Sequence, residues 1–260
     1  MVDKYCWLGP GGNKPFNSLI SDWKNNKLSK RSICVLKYIE EHSPIHIDEY
    51  DDNIIQYLKD NEVGSNHLNK KHTYAPFLFV NFISNDGERL EITESGIDFL
   101  SNVNNGKFEK ATEIYLDQLF NANFETDATK DIEIRAFPVQ IMFKLLYDKE
   151  IIPLFMFQTH IQYINDYSDL IKCFFLLDED CFFEYIWELE KFYYEDGDKF
   201  KSIYKLGTEK WKSYVIGCLL ALGIFDKVAY DKGYLKLSDY GKKYVEKKDI
   251  TNISYEEMFY

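Results

Sequence analysis

The sequence has no apolar run long enough to cross a membrane, and its first residues, MVDKYCW, lack the basic and then apolar regions of a secretory signal. Cysteine is scarce, with five residues in 260, and these show neither a CxxC pair nor a metal-ligand spacing with histidine. Reduced thiols in the cytoplasm are the simplest explanation of this pattern. We therefore expect a soluble cytoplasmic protein, long enough for one large or two ordinary domains.

Motifs for cofactors and metals are also missing. The run Gly11-Gly12-Asn13-Lys14 lacks the spacing and the closing Gly-Lys-Ser/Thr of a phosphate-binding P-loop. His42 and His46 are four residues apart, but Pro44 between them disfavours the helix that would bring their rings together. We therefore expect no cofactor in this chain, and a flexible arm beside a nucleic-acid backbone is the better interpretation of the segment around Lys14.

Positive charge is in deficit overall, but the deficit is uneven. The formal net charge is −12. Residues 1–72 carry ten basic and ten acidic side chains and are neutral, residues 73–200 carry −15, and residues 201–260 carry +3. The acidic middle is a poor candidate for contacting phosphates, whereas the C-terminal end suits an anionic partner.

The most informative stretch runs from Thr208 to Lys248. Thr208 can cap a helix whose apolar residues lie three and four positions apart, and Gly223 can end that helix. The residues that follow predict a strand over 224–230, a tight turn at 231–233, a return strand over 234–237 and a helix capped by Ser238. A helix, a hairpin and a second helix in this order are typical of a winged-helix unit, which can bind a nucleic acid duplex or another protein.

The same pattern occurs earlier, in the stretch YAPFLFVNFISNDGERLEITESGIDFL that begins at Tyr74. With an offset of 145, the run Leu90-Glu91-Ile92-Thr93-x-x-Gly96 matches Leu235-Lys236-Leu237-Ser238-x-x-Gly241, and Ile83 matches Val228. Each copy predicts a strand, a turn, a second strand and a helix that has a hydroxyl cap and a glycine in its first turn. We expect the glycine to let the backbone and the sheet approach closely.

Helical patterns account for most of the remaining chain. They predict a helix capped by Ser29 and helices near 17–23, 53–59, 109–120, 138–147, 153–161, 167–177 and 181–194. The predicted fold is mainly α with small β-hairpins (α+β) and repeated winged-helix (helix-turn-helix) subdomains. We predict an N-terminal winged-helix-like DNA-binding subdomain at 1–106, an acidic helical middle layer at 107–200 and a C-terminal winged-helix subdomain at 201–260.

Several stretches together resemble the DNA-recognition region of type IIS restriction endonucleases of the FokI and AlwI kind. They are LEITESGIDFL from Leu90, YLDQLF from Tyr115, IEIRAFPVQIMFKLLYDKEIIPLFMF from Ile132, and GCLLALGIFDKV with LKLSDYGKKYV near the end. The resemblance covers most of the chain. It implies a bacterial cytoplasmic protein in which winged-helix subdomains read an asymmetric site, while a separate C-terminal PD-(D/E)xK nuclease domain cuts at a distance with Mg²⁺.

A nuclease site of that kind is not evident in the sequence. Glu246-x-Lys248 has the bare spacing, but it lies at the end of a helical pattern, where the motif needs a strand. The chain therefore resembles part of a type II restriction endonuclease without its own nuclease active site, and we expect it not to cut DNA when given Mg²⁺. It would be either a piece of a longer protein or a separate specificity subunit, with a PD-(D/E)xK nuclease domain or subunit as its implied partner.

Three functions remain open. The first is sequence-specific recognition of double-stranded DNA for a restriction system. The second is a winged-helix transcriptional regulator or defence-system adaptor without a nuclease partner, and a nuclease encoded in frame after Tyr260 would distinguish the first from the second. The third is a protein-interaction module, which the acidic middle favours and which strongly salt-dependent DNA binding would argue against.

The predicted DNA contacts come from the two ends of the chain. Lys30 and Arg31 would lie in the first turn of the helix capped by Ser29, where the helix dipole disfavours cations; a phosphate partner or a solvated basic edge explains them. Near the N-terminal end of the helix from Thr208, exposed side chains could read bases or be ordinary solvated positions. No catalytic or metal-binding residue is predicted, and the predicted DNA-binding residues are Lys14, Lys27, Lys30, Arg31, Lys201, Lys205, Lys210, Lys212, Ser213 and Tyr214.

Overall fold

A computed structural model describes residues 15–63, 71–122, 136–161, 164, 166–178 and 215–259, together with short stretches between 187 and 199. These residues are mainly helical and form two small antiparallel sheets, so the predicted α+β class is confirmed. The chain divides into two compact units, Gly9–Ala122 with Ser213–Leu222, and Met1–Leu8 with Asn123–Lys212 and Gly223–Tyr260. They are named here the N-terminal unit and the C-terminal unit. The predicted division into three parts stays a prediction.

In the N-terminal unit, helices alternate with a small sheet. Strand β3 is central in this sheet and pairs antiparallel with β1 and β2, with Ile45 opposite Leu90 and Ile83 opposite Ile92. A 3-10 turn at Ile20–Asp22 precedes the first helix, where a longer helix was predicted. The elements are α1 (Lys27–His42), β1 (Ile45–His46), α2 (Ile47–Asp60), α3 (Lys71–Phe79), β2 (Ile83–Asn85), β3 (Arg89–Ile92), α4 (Glu94–Asn104) and α5 (Phe108–Phe120), with α9 (Gly217–Ala221) from later in the chain.

Aromatic side chains form the core of this unit. The ring of Phe82 stacks on that of Phe99 with centroids 4.7 Å apart, and Phe16 meets Tyr115 edge to face at 5.0 Å. All four side chains are at most 2% exposed. Because full burial of one such side chain contributes about 1.5 to 3 kcal/mol, these rings stabilise the fold and do not form a stacking surface for bases.

The C-terminal unit contains the second sheet. Its two strands pair antiparallel with Ile152 opposite Leu235, and a further antiparallel bridge joins Phe225 to Leu237. The helices predicted near 138–147, 153–161 and 167–177 are confirmed to within a few residues. The elements are α6 (Pro138–Asp148), β4 (Ile152–Pro153), α7 (Leu154–Thr159), α8 (Tyr167–Asp178), α10 (Lys227–Asp231), β5 (Tyr234–Leu235) and α11 (Asp239–Lys247).

The repeated pattern corresponds to a repeated local structure. In the first copy, 81–104, the Thr93 hydroxyl accepts a hydrogen bond from the Gly96 N–H at 3.2 Å and donates to the carbonyl of Asn81 at 2.6 Å. The Thr93 N–H also donates to the carbonyl of Phe82 at 3.0 Å. The hydroxyl thus caps α4 and ties it back to the residues that precede β2.

The second copy, 223–247, repeats these bonds. The Ser238 hydroxyl accepts from the Gly241 N–H at 3.0 Å and donates to the carbonyl of Gly223, and the Ser238 N–H donates to the carbonyl of Ile224 at 2.9 Å. Gly223 has a φ of 75°, and Asn81 occupies the same left-handed region in the first copy with a φ of 51°. Both predicted caps and the helix end at Gly223 are therefore confirmed.

The structure corrects the alignment of the first strands of the two copies. Ile83 pairs with Ile92, and the residue that pairs in the same way in the second copy is Phe225, which bridges to Leu237. Val228, the predicted equivalent of Ile83, is 64% exposed. The copies are therefore offset by 142 before the turn and by 145 after it, because the second copy has three more residues between its strands.

The longer connection contains the short helix α10, so the strand predicted over 224–230 is wrong, whereas the turn predicted at 231–233 is present at Lys232 and Gly233. The Asp226 carboxylate accepts a hydrogen bond from the Ala229 N–H at 2.9 Å, which caps the helix. Lys227 and Asp231 form an ion pair one turn apart. Gly233, with a φ of 86°, then lets the chain turn into β5. A local helix thus prevails over the β-branched pattern of this segment.

The first copy is preceded by a helix where a strand was predicted. The apolar run from Tyr74 was predicted as a strand, but it belongs to helix α3, and the strand begins only at Ile83. A continuous apolar run fits a buried helix as well as a buried strand, and the short length of this one does not distinguish them. The helix predicted to begin at Thr208 lies outside the described residues before Val215, and most of the one predicted at 181–194 does so too.

Lys144 anchors the end of the chain to α6. Its ammonium lies 3.3 Å from the carbonyl oxygen of Thr251, 3.8 Å from an oxygen of Asp148 and 5.0 Å from the centre of the Tyr255 ring. The Tyr255 hydroxyl donates to Asp148 at 2.7 Å. Lys144 is 7% exposed, so a buried charge is stabilised by several partners at once.

Candidate nucleic-acid interface

Helix α1 begins earlier than predicted. The Asn26 side-chain oxygen accepts hydrogen bonds from the N–H groups of Leu28 at 3.0 Å and Ser29 at 3.1 Å. Asn26 is therefore the cap, and the prediction that Ser29 caps this helix is wrong. Ser29 is buried inside the first turn, where its hydroxyl accepts from the Asn17 N–H at 3.1 Å. Both residue types are good caps, and here the Ser29 hydroxyl is bonded to Asn17 instead of to a helix N–H group.

Because α1 begins at Lys27, two of the predicted DNA contacts do not lie in the first turn of the helix. Lys27 is the first residue of α1 and is exposed, whereas Lys30 and Arg31 lie in the second turn. Lys30 is half-buried, with its ammonium 3.9 Å from a carboxylate oxygen of Glu62. The macrodipole argument therefore applies to Lys27 and only weakly to the other two, since the dipole effect fades beyond the first turn.

Arg31 differs from both lysines. It is 8% exposed, and this burial lowers the pKa of its guanidinium. Among the residues that the structure describes, no carboxylate lies within ion-pair distance of it. Lys27 is thus the most accessible of the three predicted cations on this helix, and Arg31 the least. The other predicted contacts, Lys14, Lys201, Lys205, Lys210, Lys212, Ser213 and Tyr214, lie outside the described residues.

The second copy of the repeated segment carries lysines that were not predicted as contacts. Lys232 is exposed in the turn after α10, Lys236 is half-buried directly after β5, and on α11 Lys242 is half-buried and Lys243 exposed. The alignment of the two copies at the offset of 145 could have identified these lysines. At this offset Lys236 matches Glu91 and Lys243 matches Asp98, so the alignment itself shows a reversal of charge.

The histidines and acidic residues do not form a metal site in the described part of the chain, where no group of three candidate ligands occurs. The His42 ring is hydrogen-bonded to the Tyr38 carbonyl at 2.8 Å, and the His46 ring accepts from the Asp48 N–H at 3.3 Å. These rings stabilise the end of α1 and the start of α2. Within the described residues, no helix is long and apolar enough to span a membrane.

Burial causes the clear pKa shifts of one thiol and two phenol groups. Burial raises the pKa of Cys173 to about 12, and burial raises the pKa of Tyr57 to about 12 with a further contribution from Glu41. Tyr50 also has a pKa above its ordinary value because it is buried, although its hydroxyl is hydrogen-bonded to Thr73 at 2.5 Å. These groups stay protonated at neutral pH and have structural roles.

The architecture defines only a broad class for this protein. It is a mainly helical protein of two units, and each unit contains one copy of the repeated segment, in which a strand is followed by a helix with a hydroxyl cap. No known protein family and no curated protein matches the sequence. What supports a function is therefore the geometry and the charge of the chain itself.

Proposed function

We propose that each unit is built on a winged helix. The N-terminal unit supports this with the order α1, β1, α2, α3, β2, β3, in which β1 pairs with the outer edge of the hairpin. In the C-terminal unit, β4 pairs with Leu235 as β1 pairs with Leu90, and these two leucines are equivalent at the offset of 145. In both units the strand that follows a long helix, α1 or α6, thus pairs with the same position of the return strand.

The function we propose is sequence-specific recognition of double-stranded DNA, as the target-recognition domain or specificity subunit of a type IIS restriction endonuclease. The repeated segment is the observation that carries this proposal, because two hairpin and helix units in one chain suit an asymmetric site. The resemblance of the sequence to recognition regions of this kind supplies the link to restriction. Mg²⁺ would be required only by a separate PD-(D/E)xK nuclease domain or subunit.

A winged-helix transcriptional regulator or defence-system adaptor is the alternative. The repeated segment suits it equally, since such a protein would bind duplex DNA without any nuclease partner. The two functions differ in the form of the site. A regulator that acts as a symmetric dimer binds two related half-sites, whereas a recognition subunit with two different winged helices binds one asymmetric sequence.

Selection of bound duplexes from a random pool tests the proposal. The purified chain is incubated with the pool at moderate salt, and the retained duplexes are sequenced after several rounds. We expect one asymmetric motif of several base pairs. A palindromic motif would favour the regulator, and retention of no duplex above background at low salt would reject DNA recognition altogether.

The selected motif then tests which helix reads the bases. We propose that Lys212 and Ser213 read them from the helix predicted to begin at Thr208, because a lysine can donate to guanine O6 or N7 and a serine can pair with either base class. Lys212→Ala or Ser213→Ala should relax the preference at particular base pairs by roughly 1 to 3 kcal/mol. If both variants keep the original preference at every position, α1 becomes the better candidate.

A further inference from the structure

Equivalent positions of the two copies carry opposite charges. On the return strands, Lys236 of the second copy stands where the first copy has Glu91. On the helices that follow, Lys243 of α11 stands where α4 has Asp98. Glu91, Asp98 and Lys243 are exposed and Lys236 is half-buried, so the local backbone accepts either sign of charge at both places.

The reversal extends over the whole hairpin and helix. Residues 83–103 of the first copy contain one arginine and five carboxylates, a formal charge of −4. The corresponding residues 225–248 contain seven lysines and four carboxylates, a formal charge of +3. Two structurally matched segments therefore present fields of opposite sign, and only the second attracts a polyanion.

Lys236 and Lys243 are not engaged in the ion pairs of the described residues, which distinguishes them from Lys227 with its partner Asp231. In the first copy, Asp86 at the tip of the hairpin accepts hydrogen bonds from the N–H groups of Glu88 and Arg89. These bonds keep the pKa of Asp86 below its ordinary value, so the tip remains anionic at neutral pH.

The helices that end the two copies, α4 and α11, also differ in the elements that pack on them. One side of α4 is covered by α5, where the Gln118 amide donates to the Ser95 hydroxyl at 3.1 Å and Asn102 is buried. At the corresponding positions α11 has Tyr240, which is 42% exposed, and Lys247, which is exposed. The side of α4 that α5 covers thus corresponds, in α11, to a side that presents an exposed tyrosine and an exposed lysine.

We propose that the second copy contacts the phosphates of duplex DNA through Lys236 and Lys243, and that the equivalent surface of the first copy does not. This inference rests on the proposed function. Lysine contacts to phosphates position a protein on the duplex and carry no sequence information, and their number determines how steeply affinity falls with salt. The two copies thus divide their roles through charge although they share one local structure.

Fluorescence anisotropy with a labelled 30-base-pair duplex over a series of salt concentrations tests this division on the full chain. The test variant is Lys236→Gln with Lys243→Gln, which removes two positive charges. The control is Arg89→Gln with Ser101→Glu, which changes the net charge equally at exposed positions of the first copy. The second copy has Tyr234 and Glu246 at those places, so its backbone already accepts an uncharged and an acidic side chain there.

We expect the test variant to reduce the slope of log affinity against log salt by about two units and to weaken binding roughly ten- to a hundredfold at 0.1 M salt. The control should keep the original slope. Circular dichroism should give both variants the spectrum and melting temperature of the original chain. An unchanged slope in the test variant, or an equal reduction of the slope in the test and control variants, would overturn the inference and leave DNA binding intact. Failure of the unaltered chain to bind duplex would instead reject the proposed function and this inference with it.

Discussion

The backbone of Gly241 lies so close to the carbonyl oxygen of Ile224 that a Cβ on this glycine would come within 2.2 Å of it. The first copy repeats the relationship, since a Cβ on Gly96 would lie 2.2 Å from the carbonyl oxygen of Phe82. In both places the first turn of a helix lies directly against the residue before the one that pairs with the return strand, Ile83 or Phe225. A side chain at either glycine would push the helix away from the sheet.

Alanine at either glycine should therefore destabilise the protein. We expect Gly241→Ala and Gly96→Ala each to reduce the free energy of unfolding by about 1 to 3 kcal/mol, because the obstacle is backbone that cannot rotate away. Gly197→Ala is the control, since nothing lies within 4 Å of a Cβ there. Urea unfolding followed by circular dichroism measures the differences. Equal stability of Gly241→Ala and Gly197→Ala would show that the close approach is not rigid.

Removal of the capping hydroxyls should have similar effects in the two copies. Thr93→Ala and Ser238→Ala each remove an acceptor for a helix N–H and a donor to a preceding carbonyl, and each should cost about 1 kcal/mol. The exchanges Thr93→Ser and Ser238→Thr keep both hydrogen bonds and should stay within about 0.5 kcal/mol of the original chain. Thermal unfolding of the four variants provides the comparison, and a loss in the exchange variants as large as in the alanine variants would argue against capping.

The sequence was most informative where one residue type satisfies a local requirement. Thr93 and Ser238 were predicted as caps because a hydroxyl at a helix start supplies an acceptor for an unpaired N–H group. Gly96 and Gly241 were predicted as points of close approach because glycine has no Cβ to keep two backbones apart. The hydrogen bonds of both copies confirm the caps, and the repeat was recognisable because it consists mainly of such positions.

The sequence was least informative where two local structures, or two capping residues, fit the same segment equally well. Asn26 and Ser29 can both cap α1, and in the structure Asn26 does so while the Ser29 hydroxyl accepts a hydrogen bond from the Asn17 N–H. Val228 fits a strand by its β-branched side chain, yet the Asp226 cap and the spacing of Lys227 and Asp231 stabilise a helix there. The pairing of β1 and β4 with equivalent leucines was also beyond prediction, because two-residue strands leave almost no sequence pattern.

Loss of the Lys144 ammonium should loosen the end of the chain. Lys144→Met keeps most of the side-chain volume but leaves the carbonyls of Ile250 and Thr251 without this donor, and we expect a cost of about 1 to 3 kcal/mol. Hydrogen exchange should accelerate selectively in residues 249–258. Lys172→Met is the control, because its ion pair with Asp169 is exposed and should contribute less than about 1 kcal/mol. Unchanged exchange in 249–258 would contradict the anchoring role.

Cys173 should make the protein less stable in alkaline solution. Burial raises its pKa to about 12, whereas an exposed cysteine has a pKa of about 8.5. The unfolded chain therefore loses this proton first, so the stabilising contribution is complete below about pH 8.5 and is lost as the pH rises toward 12. The advantage of the original chain over Cys173→Ala should shrink by about 1.4 kcal/mol per pH unit between pH 9 and 10. Urea unfolding at several pH values measures it, and a constant difference would contradict the shift.

The three cations of α1 should contribute unequally to DNA binding. Lys27 is exposed at the helix start and Lys30 is half-buried beside Glu62, so both ammonium groups can reach a phosphate, whereas Arg31 is enclosed. Lys27→Gln with Lys30→Gln should reduce the salt slope by up to about two units without a large change in melting temperature. Arg31→Gln should instead lower the melting temperature, because it alters a buried side chain, and should leave the slope within about half a unit of the original. Anisotropy and thermal unfolding of the same samples separate these effects. A larger slope change in Arg31→Gln than in the double variant would reverse this assignment and make Arg31 the phosphate contact.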